Sequence, residues 1–131
     1  RQLQKDFGMA VLLISHNLGV VADLCDRVAM MYASHIVETA PVAALFEAPA
    51  HPYTVGLLRC VPSAHLAHSR LPLIPGQVPR PTQYPVGCHF QDRCSYVTAQ
   101  CRSEEPRLET MGDRHEVACW HWKKVREDSY I

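Results

Sequence analysis

The sequence has no surplus of positive charge: thirteen Lys and Arg balance thirteen Asp and Glu. Non-specific binders of nucleic acid or of anionic membranes work through such a surplus, so both classes are set aside. Long apolar runs are missing too. The longest, Met9 to Ile14, falls far short of the roughly 20 residues that span a bilayer. No secretory h-region opens the chain, so the expectation is a cytosolic protein without direct membrane insertion. There is no G-x-x-x-x-G-K-[ST] loop and no G-x-G-x-x-G, hence no backbone cradle for a nucleotide's phosphates. No Ser, Asp and His set forms a hydrolase motif, and no internal repeat is visible. The chain begins at Arg1 rather than Met, which suggests truncation or processing.

What is present is globular in composition. The 131 residues are 47% hydrophobic and 20% charged, enough for one ordinary domain or two small pieces. Six cysteines and ten prolines stand out, and both are unevenly placed. Six of the prolines lie between Pro62 and Pro85, whereas Cys88, Cys94, Cys101 and Cys119 crowd the last third. Three parts follow: residues 1–61 with regular structure, a proline-rich connector at 62–86, and a cysteine-bearing module at 87–131 whose tail from Lys123 reads as frayed.

In the first part, Met9–Ile14 reads as a strand buried on both faces, as in a parallel sheet covered by helices. Ser15 or Asn17 can cap the helix expected at 17–26, where Leu18, Val21, Leu24, Cys25 and Val28 recur at helical spacing. Arg27–Tyr32 and His35–Thr39 read as paired strands across an Ala33–Ser34 turn. Pro41 and Pro52 each open a short helix, the second ending before Pro62. Cys25 and Cys60 read as small core residues. Strand, helix, strand, strand, helix is the edge of an α/β sheet, and three strands cannot cover both sheet faces. The segment reads as part of a larger domain. His16 lies where the first strand ends, the edge at which α/β sheets bind ligands, and an imidazole there can donate to a phosphate oxygen.

The cysteine spacing is Cys88-x5-Cys94-x6-Cys101-x17-Cys119. Two disulfides are disfavoured in a reducing cytosol. A zinc ion takes four thiolates, although the usual short knuckles are absent, and His89, His115 or His121 could replace a thiolate. A [4Fe–4S] cluster also takes four thiolates and tolerates wider spacing. Spacing alone ranks zinc first, cluster second and disulfide third. The module needs such a centre. Its large apolar side chains are few (Val97, Leu108, Met111 and Val117, with Phe90, Tyr96, Trp120 and Trp122), too little to offset the entropy of ordering it. Arg93 and Arg102 flank the thiols and could offset the charge of a thiolate centre, or could simply be solvated.

Several phrases together resemble the ATP-binding subunits of oligopeptide/dipeptide ABC importers. LLISHNLGVVADLCDRVAMMYA is similar to the stretch around that family's switch histidine. HIVETAPVAALFEAPAHPYTVGLLRCVP is similar to the end of its nucleotide-binding domain, with His51-Pro52-Tyr53-Thr54 a distinctive phrase. LPLIPGQVP, GCHFQDRCSYVTAQCRSEEPRLE and HEVACW are similar to its C-terminal extension. The resemblance implies an α/β fold: the C-terminal fragment of an ABC-type P-loop ATPase domain, followed by a small irregular Cys-rich module. It implies that His16 contacts the ATP γ-phosphate in a complete ATPase. It also implies that Cys88, Cys94, Cys101 and Cys119 hold a [4Fe–4S] cluster, which raises the cluster above zinc. The chain shows no flavin or second-cluster motif to exchange electrons with, so a structural rather than an electron-transfer role is expected. The implied partners are a second ATP-binding subunit and membrane-spanning permease subunits at the cytoplasmic face, with ATP and Mg²⁺ bound by the full-length protein.

Departures accompany the resemblance. The Walker A loop, the ABC signature and the Walker B carboxylates are absent, so hydrolysis by these residues alone is not expected. Asn17 stands where Asp is usual, Ser34-His35 where Gly and a basic residue are usual, Ala40 for Gly and Ser95 for Pro. The alternatives are a stand-alone zinc-binding module or a degenerate remnant of such a transporter gene.

Overall fold

A computed structural model describes residues 2–60 and 73–129. The start of the expected connector, including Pro62 and Pro72, lies outside the described residues. Helix α1 (Gln2–Phe7) opens the chain, followed by α2 (Leu18–Leu24). The Asn17 side chain caps α2, its Oδ1 accepting from the amides of Gly19 at 3.0 Å and Val20 at 3.2 Å. That satisfies two of the four donors every helix start leaves open. Strands β1 (Arg27–Tyr32) and β2 (His35–Pro41) form an antiparallel hairpin. Its turn residues Ala33 and Ser34 have φ of 45° and 68°, the twist that a two-residue hairpin demands. Alanine and serine tolerate it less well than glycine does. Helix α3 (Val42–Glu47) follows Pro41, and α4 (Pro52–Arg59) carries its proline at the first turn, where the missing amide costs nothing.

The paired strands and the two proline-led helices stand where the sequence pattern puts them. Met9–Ile14 does not. It forms no strand, and Val11, Leu12 and Ile14 are exposed at 64%, 89% and 90%. An apolar run becomes a buried strand only between neighbours that complete its backbone hydrogen bonds, and among the described residues no strand lies against it.

The cysteine-bearing part is more regular than expected. Helix α5 (Ala99–Ser103), strands β3 (Glu109–Gly112) and β4 (His115–Val117), and helix α6 (Trp122–Ser129) all lie within it. The residues expected to fray therefore form α6, anchored by Val125, which is 1% exposed. Strand β4 pairs with β2, Glu38 opposite Val117 and Thr39 opposite Glu116, giving a four-stranded antiparallel sheet ordered β1-β2-β4-β3. The amide of Ala118 continues the join, donating to the Val37 carbonyl at 2.9 Å. One sheet thus runs across the divide that composition drew. The core shows the same sharing: Met30, Tyr32, Val37, Ala40 and Leu45 from the first part bury Phe90 from the last.

Candidate functional site

Three elements and their flanks deliver the four cysteines. Cys88 precedes a single 3-10 turn (Gln91–Arg93), Cys94 ends it, Cys101 lies on α5 and Cys119 follows β4. The amide of Cys88 donates to the Cys101 carbonyl at 2.8 Å, lacing two of these elements together. The approach there is so close that only glycine fits at position 87: its φ is +79°, and an added Cβ would collide with the Cys101 carbonyl oxygen. The result is one small pocket lined by all four cysteines together with Phe90, Pro106, Trp120, His51 and His121.

Hydrogen-bond donors point at the sulfurs. The amides of Phe90 and Gln91 serve Cys88, that of Tyr96 serves Cys94 at 3.4 Å, and that of His121 serves Cys119. Beside Cys101 stands a side chain instead, the Thr98 hydroxyl 3.4 Å from its sulfur, with either atom able to donate. Donors of this kind favour thiolates, yet burial outweighs them. It raises the Cys88 thiol above its ordinary value, and pushes Cys94 up to about 11 and Cys119 up to about 12, with the neighbouring thiols adding to the rise. Without a cation these three are held protonated at neutral pH, so a metal would have to displace their protons to bind. All four are free thiols. Among the described residues, no group of three or more His, Cys, Asp or Glu side chains could hold a metal ion. The sulfurs line one space without closing on a single point.

The expected alternative ligands are otherwise engaged. His89 Nδ1 is 2.9 Å from the Ala33 carbonyl oxygen, against which an imidazole can only donate. His121 Nε2 is 3.1 Å from Thr98 Oγ1. His115 Nε2 lies 2.8 Å from Glu38 Oε1, with both side chains buried. Nor do the flanking arginines face the thiols. Arg93 donates to the carbonyls of Pro75 at 2.7 Å and Ile74 at 3.1 Å, and stacks over the Tyr32 and Phe90 rings, so it fastens the described part of the connector. Arg102 reaches Asp92 at 3.6 Å and Gln91 at 3.5 Å.

Sequence reasoning missed the polar knot under the pocket. Glu38, fully buried in β2, accepts from the amides of Ala50 at 2.7 Å and His51 at 3.0 Å as well as from His115. A buried carboxylate is tolerable only when its lone pairs are filled in this way. His51 caps α4, its Nδ1 accepting from the Tyr53 amide at 3.1 Å. Burial lowers its pKa from 6.5 to about 4, although Glu38 pulls the other way. The histidine of the HPYT phrase is therefore neutral, a helix cap at the pocket wall. The available signal was Glu38 itself, an acidic residue beside Val37 within a strand. His16 is exposed just before the Asn17 cap and is not among the residues lining the pocket.

Residues 37–101 match the family described as oligopeptide/dipeptide transporter, C-terminal region. The chain belongs to that family. It is 46% identical over 115 residues to the D,D-dipeptide transport ATP-binding protein DdpD of Escherichia coli, covering 87% of this chain and 35% of that protein. It is 43% identical over 114 residues to a peptide import ATP-binding protein of Brucella abortus, covering 87% of this chain and 34% of that one. A further relative, the peptide import ATP-binding protein of Brucella ovis, is 40% identical over 131 residues, 95% of this chain and 39% of the relative. The chain thus spans between a third and two fifths of the length of these curated relatives. Among the described residues, no helix is long and apolar enough to cross a membrane.

Proposed function

We propose that the chain is the C-terminal portion of an ATP-binding subunit that energises import of oligopeptides or dipeptides, and that Cys88, Cys94, Cys101 and Cys119 hold a structural [4Fe–4S] cluster. The names of the relatives support the first half. One observation carries the second: four cysteines from three elements line a single pocket, with backbone amides donating to three of the sulfurs and the Thr98 hydroxyl beside the fourth.

Four thiol donors are the ligand set of a [4Fe–4S] cluster as well as of zinc. Four thiolates on a single zinc at about 2.3 Å crowd within about 4 Å of one another, and these sulfurs do not form a one-ion group. A cluster gives each thiolate its own iron, so its ligands stand further apart. When bound, such a cluster would cross-link the three elements and contribute its binding energy to folding. The protein's own part is mechanical. Backbone amides aim at the sulfurs, Gly87 lets the Cys88 and Cys101 backbones meet, and Phe90, Pro106 and Trp120 limit water.

In the complete ATPase, His16 supplies an imidazole to the γ-phosphate at the cytoplasmic face. A second ATP-binding subunit and the permease subunits complete the assembly. The phosphate-binding loop is not within these 131 residues, so His16 acts only alongside one. On this reading the apolar Met9–Ile14 run is a strand whose neighbours belong to the same larger domain.

Anaerobic reconstitution of the full chain with iron and sulfide tests the site. About four irons and four sulfides per chain, lost when Cys94→Ser and Cys101→Ser are combined, is the expected result. One zinc per chain and no iron would replace the cluster with zinc, and no metal of either kind would remove the site altogether.

A further inference from the structure

Thr98 occupies the N-cap position of α5, with extended backbone at φ −126° and ψ 174°, yet its side chain makes no capping hydrogen bond. Threonine is favoured at that position because its oxygen accepts from the second or third amide of the helix. Here the oxygen is turned away from the helix backbone. It sits 3.4 Å from the Cys101 sulfur and 3.1 Å from His121 Nε2. A capping interaction has been exchanged for a contact with the pocket.

The direction of the chain follows from elementary bonding. A thiolate sulfur can only accept, so the single hydroxyl proton goes to Cys101. The hydroxyl oxygen then accepts from His121, which must carry its proton on Nε2. The His121 amide meanwhile donates to Cys119, so one residue reaches two of the four sulfurs, through backbone for one and through side chain for the other. Cys88, Cys94 and Cys119 are served by main-chain amides. Cys101 depends on a side chain.

We propose that Thr98, oriented by His121, is a positioning residue that holds the Cys101 thiolate as a ligand and sets its donor strength independently of the other three. The inference rests on the four-thiol reading above and extends it. It makes the Cys101 corner the part of the centre whose strength a side-chain substitution can change without disturbing the backbone.

The test uses the full chain, metal-loaded and challenged with a chelator, and compares Thr98→Val, Thr98→Ser and His121→Phe with the unaltered protein. Removing a hydrogen bond to a ligand typically costs a factor of 10 or more in metal retention. Thr98→Val is expected to lose metal about tenfold faster, Thr98→Ser to behave as the parent, and His121→Phe to fall between them. Melting of the metal-free Thr98→Val chain measures what the two lost Thr98 contacts cost the fold, and metal loss beyond that cost is assigned to the Cys101 ligand. Resonance Raman of the iron-loaded Thr98→Val protein should shift one iron–thiolate stretch. A parent chain that takes up no metal overturns the four-thiol reading and this inference together. A parent that loads normally, with Thr98→Val releasing metal at the parental rate or Thr98→Ser as fast as Thr98→Val, overturns the relay alone.

Discussion

Met9–Ile14 and the segment from Cys88 to Cys119 form an instructive pair. The first is almost wholly aliphatic and yet exposed, with no strand beside it among the described residues. The second is poor in large aliphatics and yet carries α5, β3, β4 and a share of the core. Apolar content therefore does not decide which segment is ordered. Available partners do. The later segment has β2 to pair with, a buried carboxylate to bond to, and the Tyr32 and Leu45 side chains to receive Phe90. The earlier run has hydrophobicity alone.

The sharpest way to break this contrast is to remove the partner the two parts share. Glu38→Ala orphans two buried amides and His115 at once, at an expected cost of about 3–5 kcal/mol, a large share of the stability of a small domain. Urea unfolding should show both parts melting earlier and together. If the later part melts alone, the join is weaker than its hydrogen bonds imply.

Acid probes the same knot more gently. The folded chain holds His51 neutral down to about pH 4, whereas an unfolded chain protonates it below 6.5. A group with a depressed folded pKa contributes fully above the unfolded value, and the contribution is lost as pH falls through the folded one. Between pH 6.5 and 4 about 3 kcal/mol should disappear. His51→Asn keeps an N-cap oxygen and should flatten that acid limb in urea titrations at pH 7 and pH 4. An unchanged limb would assign the acid sensitivity to another group.

Gly87→Ala tests the pocket's backbone. A positive φ and a collision with the Cys101 carbonyl should destabilise by more than about 1 kcal/mol, and speed alkylation of the four thiols. At the other end of the scale, Leu12→Asn should change the stability of this chain by less than about 0.5 kcal/mol, because the residue is 89% exposed. Circular dichroism melts check both. A large loss from Leu12→Asn would mean the run is packed after all.

Local chemistry made much of this readable in advance. Asn17, Pro41 and Pro52 announce helix starts through capping and ring geometry, and Arg27–Tyr32 announces a strand through its own composition. The cysteines' common pocket was legible as a need for a centre in a module short of apolar area. What stayed hidden is non-local. Nothing in His115-Glu116-Val117 reveals that it pairs with a strand some 77 positions earlier, and Arg93 gives no hint that its partners are the carbonyls of Ile74 and Pro75. Met9–Ile14 was misread in this structure for the same reason: strand propensity can be seen in a sequence, but strand neighbours cannot.

The strand order β1-β2-β4-β3 has a mechanical consequence. Strand β2 is hydrogen-bonded on both edges, with the hairpin that leads back toward α2 on one side and the strand that delivers Cys119 on the other. A tilt imposed on β1 would reach β4 only through the backbone of β2, so the two ends of the sheet are joined through that one central strand.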